Sequence, residues 1–160
     1  MKKLIVILLF LSGNSFAQDA PIYHPNADAK AEVTAAVKMA EVNKKHVLLM
    51  IGGNWCRWCK MFDKMVKENA SVDSALKANF VFQHVNFSKE NKNLSFLSEL
   101  NYPQRFGFPV FVVLNEKGER LHTQNSAYLE LGEGYDAGKV IEFFAQWGNA
   151  ALDPEQYKDN

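Results

Sequence analysis
The chain has 160 residues, 48% of them apolar, with 18 basic and 18 acidic side chains that cancel to a formal net charge of zero. This length supports one domain with a proper core rather than two, and the balanced charge leaves no basic stripe to follow a nucleic acid. Charged residues at 22% and aromatics at 12% exclude a disordered chain.

Taken in order, residues 1–17 read as a signal peptide. Lys2 and Lys3 form a positive start, the apolar run 4–11 is too short to span a bilayer, and Ser15-Phe16-Ala17 offers small residues for cleavage after Ala17. No cysteine follows the run, so no lipid anchor is expected. The mature chain is therefore expected to be periplasmic or secreted, free of the membrane, and in a compartment where disulfides persist. Residues 18–26, with Pro21 and Pro25, read as an extended lead-in.

One domain is expected over 27–148. It opens with a helix over 27–43, where Val33, Val37, Ala40 and Met39 recur at helical spacing. The apolar run 46–51, bounded by Lys44-Lys45 and Gly52-Gly53, reads as a buried strand. A helix to about Asn69 follows, with Cys59, Phe62 and Val66 on one face and Met65 beside them. A short helix over 72–78 leads to a second buried strand over 80–87, a polar loop over 88–93 and a helical turn over 94–100. Tyr102-Pro103 breaks the chain before a third strand, 110–114. Glu116-Lys117-Gly118 turns it into a return strand over 119–124. Residues 125–137 read as a long loop, 138–147 as a last amphipathic helix and 149–160 as a loose polar tail. Alternating strands and helices closed by a hairpin and a helix give an α/β fold, a mixed sheet with helices on both faces.

The chemistry sits in Trp55-Cys56-Arg57-Trp58-Cys59, which holds the only two cysteines, at the junction of the first strand and the second helix. In a βαβ setting, two cysteines three positions apart read as a redox dithiol, because one helical turn brings the sulfurs within bonding reach. Cys56 would lie at the helix start, off the buried face, so that it can be exposed while Cys59 is covered. Unpaired N–H groups and a partial positive charge there lower a thiol pKa from about 8.5 toward about 3.5–7.5. Cys56, with Arg57 beside it, is thus the expected nucleophile, and Cys59 the resolving thiol. Two other readings stay open, a structural staple and a Cu(I) site, while zinc and haem lack the residues they need. A purely structural staple over so short a loop would contribute only about 2 kcal/mol. Two thiolates can hold Cu(I). Zinc needs four ligands, and His24, His46, His84 and His122 are scattered along the chain. A haem attachment would need His after the second cysteine, where Lys60 stands.

These residues resemble the thioredoxin fold family in three blocks that occur in the family's order. Trp55-Cys56-x-x-Cys59-Lys60-Met61 resembles its active-site run. Phe108-Pro109-Val110-Phe111-Val112-Val113-Leu114 with Lys117-Gly118-Glu119 resembles its cis-proline strand and hairpin, and 138–144 its closing helix. The leader and the long 125–137 loop make the chain more similar to secreted members than to cytosolic thioredoxin. The resemblance implies a thioredoxin fold and a thiol–disulfide oxidoreductase working through a mixed disulfide, with no cofactor beyond the Cys56–Cys59 disulfide itself and no metal. It implies protein thiols and disulfides as substrates, a redox partner protein that resets the dithiol, and a monomer. Pro109, if cis, would present the Phe108 backbone to a substrate strand. Trp55, Arg57 and Trp58 would complete the substrate surface, with Trp58 on the rim. Three departures stand out: Met50 replaces a buried acid, Lys64 replaces a helix-kinking proline, and His84 stands where the family often has a lysine. His84 is then the candidate proton acceptor. From another class, the alternative is a non-catalytic thioredoxin-like binding module, or a copper-handling dithiol protein of the periplasm.

Overall fold
A computed structural model describes residues 20–158; the expected signal peptide, 1–17, lies outside them. The organising strand is β1 (His46–Gly52), buried at all 7 positions. β2 (Phe80–Asn86) runs parallel to it on one side, and β3 (Val110–Leu114) antiparallel on the other. β4 (Arg120–Asn125) pairs antiparallel with β3, giving the order β2-β1-β3-β4. The parallel pair needs a crossover, which α2 (Arg57–Glu68) and α3 (Ala70–Asn79) supply. The antiparallel pair β3–β4 needs only a turn. There the Asn115 side-chain carbonyl accepts the N–H groups of Lys117 and Glu119, and Gly118 takes φ +82°.

Side chains alternate along β1 and so divide the core in two. Val47, Leu49 and Ile51 join Val110, Val112 and Leu114 under α1 (Ala29–Asn43) and α4 (Leu94–Glu99). Leu48 and Met50 join Phe62, Phe111, Val113 and Phe144 on the opposite face, which α2, α3 and α5 (Ala137–Trp147) cover. Asp28 caps α1 by accepting the N–H groups of Lys30 and Ala31.

Several expectations shift. The buried stripe of α1 is Ala29, Val33, Ala36 and Ala40, and Met39 is 56% exposed. Position 39 is turned 100° from position 40, which carries it off the stripe. β2 is half-buried through its middle because it forms the sheet edge. Residues 125–137 are not an open loop. A 3₁₀ turn (Ser126–Leu129) leads into a small hairpin of β5 (Glu130–Leu131) and β6 (Gly134–Tyr135) that lies against α2. Within the tail, residues 149–157 form two 3₁₀ turns, Asn149–Leu152 and Pro154–Tyr157, neither with a buried residue. Among the described residues, no helix is long and apolar enough to cross a membrane.

Candidate active site
β1 ends at Gly52, and the chain turns through Gly53-Asn54-Trp55 into α2 with Cys56 as its N-cap. Cys56 is extended (φ −83°, ψ 108°), and its sulfur accepts the N–H of Cys59 at 3.1 Å. The two cysteines are joined: S–S 2.15 Å, Cα–Cα 5.3 Å. One sulfur therefore already sits on a free helix N–H, which favours negative charge on it.

The sulfurs are less open than the sequence suggests. Cys56 is 4% exposed and Cys59 0%. The asymmetry has the expected sense, but Cys56 belongs to the core cluster of Tyr23, Met50 and Phe62, with Trp58 and Phe108 packed against that cluster.

Trp55, 58% exposed, is the rim tryptophan. Its indole N–H donates to the Phe87 carbonyl at 2.7 Å, and its ring meets Phe108 edge-on at 5.2 Å. Phe108 also packs on Phe87 at 4.8 Å, and the Phe108–Pro109 peptide is cis. Trp58, expected on the rim, is half-buried because Tyr135 of β6 stands edge-on to it at 5.5 Å. Tyr135 also meets Phe62 at 5.2 Å, so the 125–137 segment walls one flank of the dithiol. Arg57 is exposed at the helix start.

Behind the dithiol lies a group of polar side chains. The backbone of Ile22 and Tyr23 is held by Asn54, whose side-chain oxygen accepts both N–H groups at 3.0 Å and whose amide donates to the Tyr23 carbonyl at 2.8 Å. The lead-in is thereby fixed to the site, and the Tyr23 ring is fully buried. A side chain at Gly52 would collide with the Cys59 sulfur and would come within 2.8 Å of the Tyr23 hydroxyl oxygen, so only glycine fits between them. Burial raises the Tyr23 phenol well above its ordinary 10.0, and Tyr135 and Asp63 add to this. Tyr135 is raised too, chiefly by burial.

His84 lies on β2 opposite Met50 of β1, edge-on to Tyr23 at 5.3 Å and to Phe82 at 4.7 Å. Its ring thus lies against Tyr23, which flanks the dithiol across Gly52. Burial lowers its pKa from 6.5, against the pull of Asp63 and together with Lys67 and His24. A neutral imidazole thus faces Asp63 Oδ1 at 3.8 Å, while the second Asp63 oxygen pairs with Lys67 at 2.6 Å. Tyr23, Asp63 and Tyr135 carry no motif: each reaches the site through tertiary contacts. A lone tyrosine between Pro21 and Pro25 was the only trace of the first.

The sequence profile of a family described as thioredoxin-like matches residues 28–116, more than half of the chain. No curated protein matches the chain. Among solved structures, the chain is similar to a disulphide isomerase from Xylella fastidiosa Temecula1, at 25% identity and a TM-score of 0.70 over 81% of this chain and 98% of that one. It is similar to the C-terminal domain of Neisseria meningitidis DsbD in the oxidised form, at 25% identity and a TM-score of 0.55 over 76% and 97%. A thioredoxin from Thermus thermophilus shares the fold at 17% identity and a TM-score of 0.54, over 79% and 94%. The matched profile runs from the cap of α1 through the dithiol and β3 into the turn that follows; with its mixed sheet and helices on both faces, the chain belongs to the thioredoxin-like family.

Proposed function
We propose that the protein is an extracytoplasmic thiol–disulfide oxidoreductase acting on protein disulfides. The observation that carries this reading is the Cys56–Cys59 disulfide at the start of α2, with the Cys59 N–H on the Cys56 sulfur and all residual exposure of the pair on Cys56. In the reduced form, the Cys56 thiolate attacks one sulfur of a substrate disulfide. A mixed disulfide forms and the other substrate sulfur leaves as a thiolate. Cys59 then attacks the Cys56 sulfur, re-forms the internal disulfide and releases the second substrate thiol. A redox partner protein returns the pair to the dithiol.

The helix N–H groups and nearby Arg57 stabilise the attacking thiolate. Trp55, Trp58 and Phe108 provide the apolar surface around it, and the backbone at Phe108 and Pro109 receives the substrate as an added strand. The similarity to a disulphide isomerase and a DsbD domain supports protein substrates and an extracytoplasmic setting. Cys56→Ser should abolish insulin reduction, and Cys59→Ser should accumulate mixed disulfides. Equal activity in Cys56→Ser and the parent would refute the proposal.

The small exposure of Cys56 favours a second reading, a binding module whose dithiol never turns over. The iodoacetamide alkylation rate of the reduced protein against pH separates the two. Fast alkylation with a midpoint well below that of a free thiol supports the enzyme; slow alkylation at every pH supports the binder.

A further inference from the structure
The Tyr23 hydroxyl is buried and has no hydrogen-bond partner among the described residues. Leaving such a group unmatched costs about 1–3 kcal/mol, so an orphan hydroxyl in an otherwise well-packed core calls for a reason. Its surroundings supply one. A side chain at Gly52 would collide with the Cys59 sulfur and come within 2.8 Å of the hydroxyl oxygen, so the two flank this glycine. The β1 side chains nearest them on this face, Leu48 and Met50, are apolar, and the one base of β1, His46, lies at its far end against the Trp147 carbonyl. Asn54, two residues before Cys56, fixes the backbone of Ile22 and Tyr23 with three hydrogen bonds, two of them to Tyr23, so the phenol and the dithiol are positioned by the same turn. In the disulfide, the Cys59 sulfur is a poor acceptor; once reduced, it gains negative charge when it resolves the mixed disulfide, while the Cys56 sulfur has the Cys59 N–H as its own donor.

We propose that the Tyr23 hydroxyl donates a hydrogen bond to the Cys59 sulfur when the disulfide is open, holding it as the thiolate that resolves the mixed disulfide. The inference rests on the oxidoreductase reading above. In the step itself, the Cys59 thiolate attacks the Cys56 sulfur, the Cys56–substrate S–S bond breaks, and the Cys56–Cys59 S–S bond forms. The departing substrate thiolate takes up the proton that Cys59 released, through solvent, and Tyr23 keeps its own. Burial keeps the phenol protonated throughout the neutral range, so it acts only as a donor. The other titratable groups facing this space are Asp63 of α2, whose charge is paired with Lys67, His84 of β2, held neutral by burial, and Tyr135 of β6. None of them supplies a positive charge that could replace the donor.

The test is an ultraviolet thiolate titration of the Cys56→Ser protein, in which Cys59 is the sole thiol, with and without Tyr23→Phe. Loss of the hydroxyl should raise the Cys59 midpoint by about one pH unit, a tenfold smaller thiolate fraction near neutrality. In the two-cysteine protein, mixed-disulfide resolution should slow by a similar factor at neutral pH and recover at alkaline pH. Identical titrations overturn the proposal. If Tyr23→Phe does not fold, fluorotyrosine at position 23, a stronger donor, should lower the midpoint; no shift overturns the proposal equally. Insulin reduction by the parent is read alongside. An inactive parent defeats the oxidoreductase reading, whereas an active parent with an unmoved Cys59 midpoint defeats only the role of Tyr23.

Discussion
The two faces of the sheet are built from alternate residues of the same strands and differ in kind. The buried cluster under α1 and α4 is made of Ala, Val, Leu, Ile and Phe, with half-buried Gln83 at its margin bonded to Glu32 of α1. The face under α2 and α5 holds the dithiol and, beside it, buried polar atoms of Tyr23, His84 and Tyr135 that lack hydrogen-bond partners among the described residues. A purely apolar layer maximises burial at about 25 cal/mol per Å². The other layer gives up part of that gain to keep polar groups next to sulfur. Stability and thiol chemistry are thus separable by face, and substitutions can test the separation.

The largest effect should come from the apolar face. Leu49→Ala truncates a fully buried side chain there and should destabilise by about 2–5 kcal/mol in urea unfolding. The alkylation midpoint of Cys56 should not move; a moved midpoint would break the division. Gly52→Ala acts on the other face and should cost about 1–3 kcal/mol through overpacking against the Cys59 sulfur and the Tyr23 ring. Unlike Leu49→Ala, it should also change the equilibrium of the dithiol with glutathione, read from alkylated species at fixed redox ratios.

The smallest effect concerns His84. Its folded pKa lies below 6.5, so between those two values the unfolded chain binds a proton that the folded chain does not. Stability therefore falls as pH drops through 6.5 toward the folded value, and it is fully retained above 6.5. His84→Leu should flatten this part of a melting-temperature profile against pH. A parent whose melting temperature rises on acidification through that window would show that Asp63 outweighs burial.

Much of this was legible from local pattern. The apolar run at β1, the two glycines and the paired cysteines announced a strand, a turn and a helix start, because each depends on neighbours in sequence. The β3–β4 hairpin was legible for the same reason, through Gly118 and its flanking polar residues. What escaped depends on distant contacts. Tyr23 is buried only because Asn54, 31 residues on, holds its backbone. Trp58 leaves the rim only because Tyr135 arrives from the far side of the chain. The near-closure of Cys56 follows from the aromatic cluster around it, which no motif records.

The grip of Asn54 on Tyr23 has a practical consequence. A version trimmed to the first helix, or carrying bulky additions just ahead of Pro21, would keep the sheet and every cysteine yet lose part of what surrounds the second sulfur. Such a protein would pass a folding check and still titrate differently. Purification handles therefore belong at the opposite terminus, beyond the exposed turn that ends at Tyr157.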